Sequence, residues 1–168
     1  MPTLRRLKSH EWRAYRDVRL RALRDAPESF GSTLEAEEAR SDAAWEERVS
    51  SRARAPSDLP LVIEDKERFV GLAWGRINPA EPDTARLFQM WVAPTHRAAG
   101  HGIAMLRAVM DWARDSGVRR LVLQVTCGNE AAERLYEGAG FVELGAPGRL
   151  RPGSDLLSDY AARPLTPC

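Results

Sequence analysis

The sequence has few cysteines, almost no excess charge of one sign and no long apolar run. Its two cysteines, Cys127 and Cys168, do not amount to a disulfide framework, so a reducing compartment, the cytoplasm, is expected. The 25 basic and 24 acidic side chains favour neither nucleic acid nor a membrane surface as a partner. No segment has the apolar length of a membrane span, and the N-terminus lacks the apolar run of a signal peptide. The three histidines form no metal-ligand pattern with the cysteines, so no metal site is expected.

The chain length and the spacing of apolar residues indicate one domain, residues 1–168, of mixed secondary structure. With 168 residues and 43% hydrophobic content, a core can be buried without disulfides or metals. In the first half, the patterns predict a strand over Thr3–Leu7, a helix from the cap residue Ser9 to Asp25, and a helix beginning after Ser41. Three β-rich segments with short polar connections then favour an antiparallel meander over Leu59–Glu64, Phe69–Ile77 and Ala85–Val92.

The second half alternates helices and strands. A helix over Ile103–Ser116 is followed by the apolar strand Leu121–Val125. A helix over Asn129–Gly138 precedes two short strands, Phe141–Leu144 and Leu156–Ala162. The helix between the strands that end at Val92 and begin at Leu121 predicts a right-handed βαβ unit with parallel strands. The expected fold class is therefore α/β.

The segment RAAGHGIAML, residues 97–106, has the composition of an anion-binding loop before a helix. A helix N-terminus leaves backbone N–H groups unpaired and carries partial positive charge. Gly100 and Gly102 let this backbone approach an anion closely, and Arg97 adds a permanent positive charge. The loop is not a dinucleotide-binding fingerprint, because Met105 stands where the third glycine belongs, and it lacks the Gly-Lys-Ser/Thr of a P-loop. The pattern indicates a backbone cradle for phosphates.

Two motifs in the second half resemble those of the GCN5-related N-acetyltransferase (GNAT) superfamily. Val92, Pro94 and the R-x-x-G-x-G of Arg97, Gly100 and Gly102 resemble its acetyl-CoA signature. Residues 129–141, NEAAERLYEGAGF, are similar to its second motif, N-x-x-A-x-x-L-Y-x-x-x-G-F. The resemblance covers residues 85–145 and implies the acyl-CoA N-acyltransferase fold: a mixed, mostly antiparallel sheet, splayed at its centre, with helices on both faces.

The resemblance also implies which residues hold acetyl-CoA, the co-substrate of the family. The pantetheine arm would pair with the splayed strand at Met90, Trp91 and Val92, and would meet the side chain of Asn129. The pyrophosphate would be held by the loop, at Arg97, Ala98, Ala99, Gly100, His101, Gly102 and Ile103. Tyr136 would be the catalytic residue that protonates the departing thiolate. An ordinary tyrosine pKa of about 10 lies near the value of about 8.5 for a thiol.

The resemblance leaves the general base open. Many family members carry a glutamate five residues before the motif asparagine, and here that position is Gln124. A glutamine cannot accept the proton that an alkylamine, with a pKa of about 10.4, must lose before it attacks. Two routes remain: a chain of water molecules, or a carboxylate from the N-terminal half such as Glu35 or Glu37.

The function that the resemblance implies is direct transfer of an acetyl group from acetyl-CoA to the primary amine of a small molecule. Two alternatives stay open. One is acetylation of a protein or peptide amine. The other is acyl-CoA binding by a sensor without turnover, which is favoured by Gln124 in place of a base. A homodimer is expected because members of the family commonly form one. The apolar C-terminal segment DLLSDYAA, which follows a long loop, could pair or exchange at a sheet edge.

Several other side chains have a structural interpretation beside a functional one. Trp91 and Gln89, on one face of their strand, could line the acceptor pocket or simply pack. Phe30 and Trp45 are expected in the core, and Cys127 as a small packing residue. The arginines of the first helix are expected on a solvated face, with a lesser expectation of contact with the CoA 3′-phosphate: Arg13, Arg16, Arg19, Arg21 and Arg24.

Overall fold

The computed structural model describes residues 1–143, 148–149 and 157–164. The α-helices in these ranges are α1 (Trp12–Asp25), α2 (Leu34–Glu38), α3 (Asp42–Arg52), α4 (His101–Asp115) and α5 (Glu130–Gly138). The strands are β1 (Thr3–Arg6), β2 (Asp58–Asp65), β3 (Arg68–Ile77), β4 (Thr84–Val92), β5 (Arg120–Thr126), β6 (Val142–Glu143), β7 (Gly148–Arg149) and β8 (Leu157–Pro164). Short 3₁₀ turns lie at Pro27–Ser29 and Pro94–His96.

The strands form one mixed sheet in the order β1-β2-β3-β4-β5-β8-β6, and β7 pairs with β8. Between the described strands, each pairing is antiparallel except that of β4 with β5, which is parallel. Strands β2, β3 and β4 form the predicted meander, and α4 connects β4 to β5 as the predicted βαβ unit requires. The prediction of an α/β fold with a mostly antiparallel sheet is confirmed.

Helices cover both faces of the sheet, as two neighbouring residues of β3 show. Trp74 meets the ring of Tyr15 in α1, with ring centroids 5.4 Å apart. A Cβ added at Gly75 would lie 2.9 Å from the ring of Trp112 and 3.1 Å from Val109, both in α4. Because successive strand residues point to opposite faces, α1 and α4 lie on opposite sides of the sheet. Only a glycine allows α4 to pack this closely.

The sheet splits at its centre, between β4 and β5. These strands pair only over residues 84–87 of β4 and 120–123 of β5. Just beyond, Gln89 adopts a left-handed φ of 59°, and the two residues Gln89 and Met90 stand opposite the single residue Ala73 of β3. Such a β-bulge bends its strand and re-aims its side chains. The end of β4 therefore stays paired with β3 but turns away from β5, which opens a gap in the sheet.

Two sequence-based expectations are wrong: the start of the first helix and the position of the C-terminal strand in the sheet. Helix α1 begins at Trp12 and not after Ser9, because the Glu11 carboxylate accepts a hydrogen bond from the Lys8 amide at 2.8 Å and holds a turn there. The C-terminal strand β8 does not lie at an edge, because it pairs with β5 on one side and with β6 and β7 on the other. The expected homodimer stays a prediction without that support.

Candidate active site

A cavity of about 640 Å³ occupies the gap between the diverging ends of β4 and β5. One wall is the end of β4, the opposite wall is the end of β5 with the start of α5, and the segment that follows α1 closes the side. Six of the residues expected to bind the cofactor line it, together with the expected catalytic tyrosine: Met90, Trp91, Val92, Arg97, Gly102, Asn129 and Tyr136.

Consecutive residues of β4 direct their side chains to the two sides of the sheet. The Met90 sulfur accepts a hydrogen bond from the Tyr136 hydroxyl of α5 at 3.3 Å. The indole N–H of Trp91 donates to Asp25 Oδ2, at the end of α1, at 2.9 Å. The cavity therefore has one side formed by α5 and another formed by the segment after α1.

Tyr136 is held firmly and remains protonated. Its side chain is buried apart from a 9% exposed fraction, and its ring packs edge-on against Phe141 at 5.8 Å. Burial raises the pKa of Tyr136 well above its ordinary value of about 10. Within the part of the chain that the structure describes, its hydroxyl donates to the thioether of Met90, which is a weak acceptor. A proton is thus present at the cavity wall. It is held more tightly than on an ordinary tyrosine, so the near-match with the pKa of a thiol, expected from the sequence, is poorer here.

The loop before α4 has the backbone shape that anion sites use. Ala98 and Gly100 both have left-handed φ angles, 60° and 82°. The first intrahelical bond runs from the Ala104 amide to the Gly100 carbonyl, so the earlier amides of α4 have no partner within the helix. Alternation of left- and right-handed residues turns successive amides toward one point, a geometry that binds anions. The expected loop residues Ala98, Ala99, Gly100, His101 and Ile103 are not among those that line the cavity.

Arg97 is engaged within the protein. Its Nε donates to the Val92 carbonyl at 2.9 Å, and its Nη2 donates to Asp25 Oδ2 at 2.5 Å. Hydrogen bonds from Trp91 and then from Arg97 lower the pKa of Asp25, so this carboxylate is ionised at neutral pH. The positive charge expected to face a pyrophosphate is therefore shared with an acidic residue of α1.

Asn129 caps α5 and joins the two sides of the cavity. Its Oδ1 accepts from the Ala132 amide and its Nδ2 donates to the Ser29 hydroxyl, each at 3.3 Å. Nearby, the Thr126 hydroxyl at the end of β5 donates to the Glu28 carbonyl at 2.5 Å. These two bonds tether the 3₁₀ turn Pro27–Ser29 to the end of β5 and so fix one wall of the cavity.

The acetyltransferase (GNAT) family matches residues 7–141 of the chain. The chain belongs to this family. The [Ribosomal protein bS18]-alanine N-acetyltransferase of Escherichia coli is 37% identical over 115 residues, which are 68% of this chain and 76% of that protein. The L-2,4-diaminobutyric acid acetyltransferase of Nocardia farcinica is 32% identical over 76 residues, 45% of this chain. The match spans only 39% of that relative's own length.

Solved structures of GNAT proteins share the fold. Spermidine N-acetyltransferase from Vibrio cholerae, in complex with CoA and spermine, superposes with a TM-score of 0.76 at 20% identity, over 98% of this chain and 95% of that one. The predictions of the family, of the acyl-CoA N-acyltransferase fold and of acetyl-CoA as the family's co-substrate are confirmed. The prediction of an N-acetyltransferase is confirmed at the level of the family.

Sequence reasoning missed several residues of this GNAT cavity. Asp25, Glu28 and Ser29 line it, yet nothing local marks the end of α1 as part of a site. Gln124, which the sequence did single out because the resemblance implies a glutamate there, lines it as well. Neither Glu35 nor Glu37, the two carboxylates considered as bases, is among the lining residues. Glu37 is buried and ion-paired with two arginines, so it has no free role in proton transfer here.

Two further expectations for the GNAT domain are wrong. Cys127 is exposed and lines the cavity, because it lies in the turn after β5 and not in the core. Arg19 is not on a solvated face: it is 2% exposed, and its guanidinium lies 4.8 Å from the ring centroid of Phe30. Phe30 and Trp45 are buried as expected. In the described part of the chain, no group of three or more His, Cys, Asp or Glu side chains could hold a metal ion, and no helix could span a membrane.

Proposed function

We propose that this protein transfers the acetyl group of acetyl-CoA directly to the primary amine of a small molecule. The observation that carries the proposal is the protonated Tyr136 hydroxyl on the wall of a cavity that opens where β4 and β5 separate. The anion-binding shape of the loop before α4, near the same cavity, supports the proposal. Relatives named for diaminobutyrate and spermidine favour a small amine as the acceptor.

In this proposal, the cofactor lies along β4. Beyond Leu87, β4 has no pairing with β5. The backbone groups of Met90, Trp91 and Val92 that do not pair with β3 therefore face the gap, where a pantetheine arm could pair with them. The pyrophosphate would then reach the exposed amides of the loop and of the first turn of α4, where partial positive charge favours it. Arg97 lies between these two parts, since it is bonded to the Val92 carbonyl.

The proposed chemistry needs one proton donor at the thioester. The neutral amine attacks the thioester carbonyl, and the resulting oxyanion is stabilised by backbone N–H groups of β4. When the intermediate collapses, the C–S bond breaks and Tyr136 donates its proton to the CoA sulfur. The nitrogen, now an amide, loses its extra proton to water, and water reprotonates Tyr136. Gln124 accepts no proton, and neither Glu35 nor Glu37 lines the cavity, so of the two routes considered the proposal takes the chain of water molecules.

A second candidate acceptor is the amino group of a protein. It is favoured by the Escherichia coli relative that acetylates a ribosomal alanine, which matches more of the chain than the diaminobutyrate relative does. A sensor that binds acyl-CoA without turnover would keep the loop but would not need the Tyr136 proton. Absence of nucleic acid and membrane partners, a homodimer and a cytoplasmic location all stay predictions.

The test of the proposal is a panel of amines with acetyl-CoA and the purified protein. Release of free CoA thiol is followed with polyamines, amino acids, amino-acid amides, aminoglycosides and short peptides. The proposal expects amine-dependent thiol release together with acetylated product by mass spectrometry. Tight acetyl-CoA binding without thiol release, for every amine, would instead identify a sensor.

A further inference from the structure

Gln89 lies where the sheet splits, and its backbone has a conformation that residues other than glycine rarely adopt. Its φ of 59° lies in the left-handed region, which costs free energy for any residue but glycine. The residue is part of the bulge that turns β4 away from β5. It also lines the cavity while being only 9% exposed. A strained, buried, polar residue on a cavity wall is often kept for its contact with a ligand.

The carboxamide of Gln89 has a defined orientation. The Tyr15 hydroxyl, in α1, donates to Gln89 Oε1. Tyr15 is 1% exposed, and Gln89 Oε1 is the acceptor of its hydroxyl among the residues that the structure describes. Because a buried hydroxyl needs an acceptor, Oε1 must face Tyr15, which turns the amide nitrogen away from it. That nitrogen has two N–H groups and no acceptor within the described residues.

An amide nitrogen in the cavity suits a particular ligand group. Its N–H groups donate, so they repel an ammonium and match the lone pairs of an oxygen. A hydrogen bond to the acceptor's own nitrogen would occupy the lone pair that must attack the thioester. The fitting group is therefore an oxygen close to the amine, on the side of β4 that faces α1. A plain alkylamine or polyamine has no such oxygen.

We propose that Gln89 is a specificity-determining residue that donates a hydrogen bond to a carbonyl oxygen on the carbon next to the amine-bearing carbon of the acceptor. The preferred acceptors are then α-amino carbonyl compounds, such as an amino-acid amide or the amino-terminal residue of a peptide. Tyr15 is the positioning residue that holds the Gln89 carboxamide in the required orientation. This inference rests on the proposed acetyl transfer and narrows its acceptor.

The carbonyl requirement is tested by comparing two amines of similar size. L-Alaninamide has the carbonyl, and sec-butylamine lacks it. We expect the wild type to have a higher kcat/KM for alaninamide than for sec-butylamine. Gln89 should contribute a factor of about three to ten to this preference, as expected for a neutral hydrogen bond. The double variant Tyr15→Phe/Gln89→Met should lose that factor. It leaves no buried hydroxyl without an acceptor, so its fold is protected.

A second variant keeps the test informative if the double variant unfolds. Gln89→Glu still accepts the Tyr15 proton and has nearly the same size, but it has no N–H group. It should lose at least the same factor of about three to ten in the kcat/KM ratio between the two amines, because its carboxylate cannot donate and also repels the carbonyl oxygen. The uncharged double variant gives the loss without that repulsion. Tyr15→Phe alone leaves the Gln89 carboxamide free to rotate, so it should lose a smaller part of the kcat/KM ratio between the two amines.

Each outcome decides something different. The same ratio in the wild type and in Gln89→Glu overturns this inference, because Gln89 would then be only a packing residue, while acetyl transfer stands. No thiol release by the wild type with any amine overturns both proposals. A tripeptide with an N-terminal alanine, Ala-Gly-Gly, separates the two sources of the carbonyl. A higher kcat/KM for it than for alaninamide indicates a peptide acceptor, and a lower one indicates a small molecule. Both compounds have the carbonyl, so this comparison decides its source, and the comparison with sec-butylamine decides the requirement.

Discussion

Arg97 and Asp25, 72 positions apart in the chain, are joined by an ion pair of 2.5 Å. The pair connects the end of α1 to the loop proposed to bind the pyrophosphate. Trp91 donates to the same carboxylate oxygen, so three parts of the cavity wall meet at one atom. Because both donors stabilise the carboxylate and lower its pKa, Asp25 stays negative and offsets the charge of Arg97.

Removal of that negative charge is predicted to strengthen acetyl-CoA binding. Asp25→Asn keeps a carbonyl oxygen for Trp91 but leaves Arg97 uncompensated. Because both side chains are partly exposed, we expect only about a two- to threefold fall in Kd at low ionic strength, shrinking as salt screens the charges. Calorimetric titration measures the change. Asp111→Asn, which breaks a surface pair with Arg114, is the control and should bind as the wild type does.

An equal or larger Kd for Asp25→Asn at low salt would contradict this prediction. Asp25 would then be needed to orient Arg97 rather than to balance its charge.

Gly102 is predicted to be needed for the cofactor and not for the fold. Among the described residues, a Cβ at this position would meet Leu135 alone, at an ordinary contact distance of 3.5 Å, so this part of the protein has room for a side chain. The side chain of Gly102→Val would instead extend into the space that the pyrophosphate needs. We expect acetyl-CoA affinity to fall by about tenfold or more, or ~1.4 kcal/mol or more. Titration of the folded variant with unchanged affinity would place the pyrophosphate elsewhere.

Gln124 is predicted to be dispensable as a proton acceptor. Gln124→Ala should keep turnover within about tenfold of the wild type, because loss of a general base costs about a hundredfold to ten-thousandfold. The pH profile should rise with deprotonation of the acceptor amine. It should not fall as the pH passes 10, because burial raises the pKa of Tyr136 and keeps its proton in place. Collapse of turnover in a well-folded variant would show that Gln124 orders an essential water or substrate group.

The cofactor half of the site was accessible from sequence because its signals are local. Gly100 and Gly102 stand within one loop, and Asn129 and Tyr136 within one helix and its cap, so spacing alone places each group. Periodicity likewise predicted the order of strands and helices. The bulge at Gln89 could not be read in this way, since a left-handed glutamine has no sequence signature.

The acceptor side depends on contacts between distant segments. Thr126 and Glu28 are 98 positions apart, and their hydrogen bond closes the cavity wall. Neither residue stands in a pattern that marks it. Arg19 is different, because it follows Trp12 by seven positions and Tyr15 by four, which places it on the apolar face of α1. That spacing is sufficient to predict its burial, whereas the charge of the four other arginines of the helix favours a solvated face.

Acetyl transfer, as proposed, depends most on Tyr136 as the proton donor to the thiolate. Tyr136→Phe keeps the ring that packs against Phe141 and removes only the hydroxyl, which bonds weakly to Met90. Acetyl-CoA affinity should therefore stay within a few-fold, and the melting temperature should change little. The loss should appear in the chemical step.

The most direct measurement is the single-turnover rate of acetyl transfer in the wild type and in Tyr136→Phe, both saturated with acetyl-CoA and with the best amine of the panel. We expect a rate about a hundredfold to ten-thousandfold lower in the variant, as for loss of a general acid. An equal single-turnover rate in the two proteins would contradict it, because the thiolate would then leave without a proton from Tyr136.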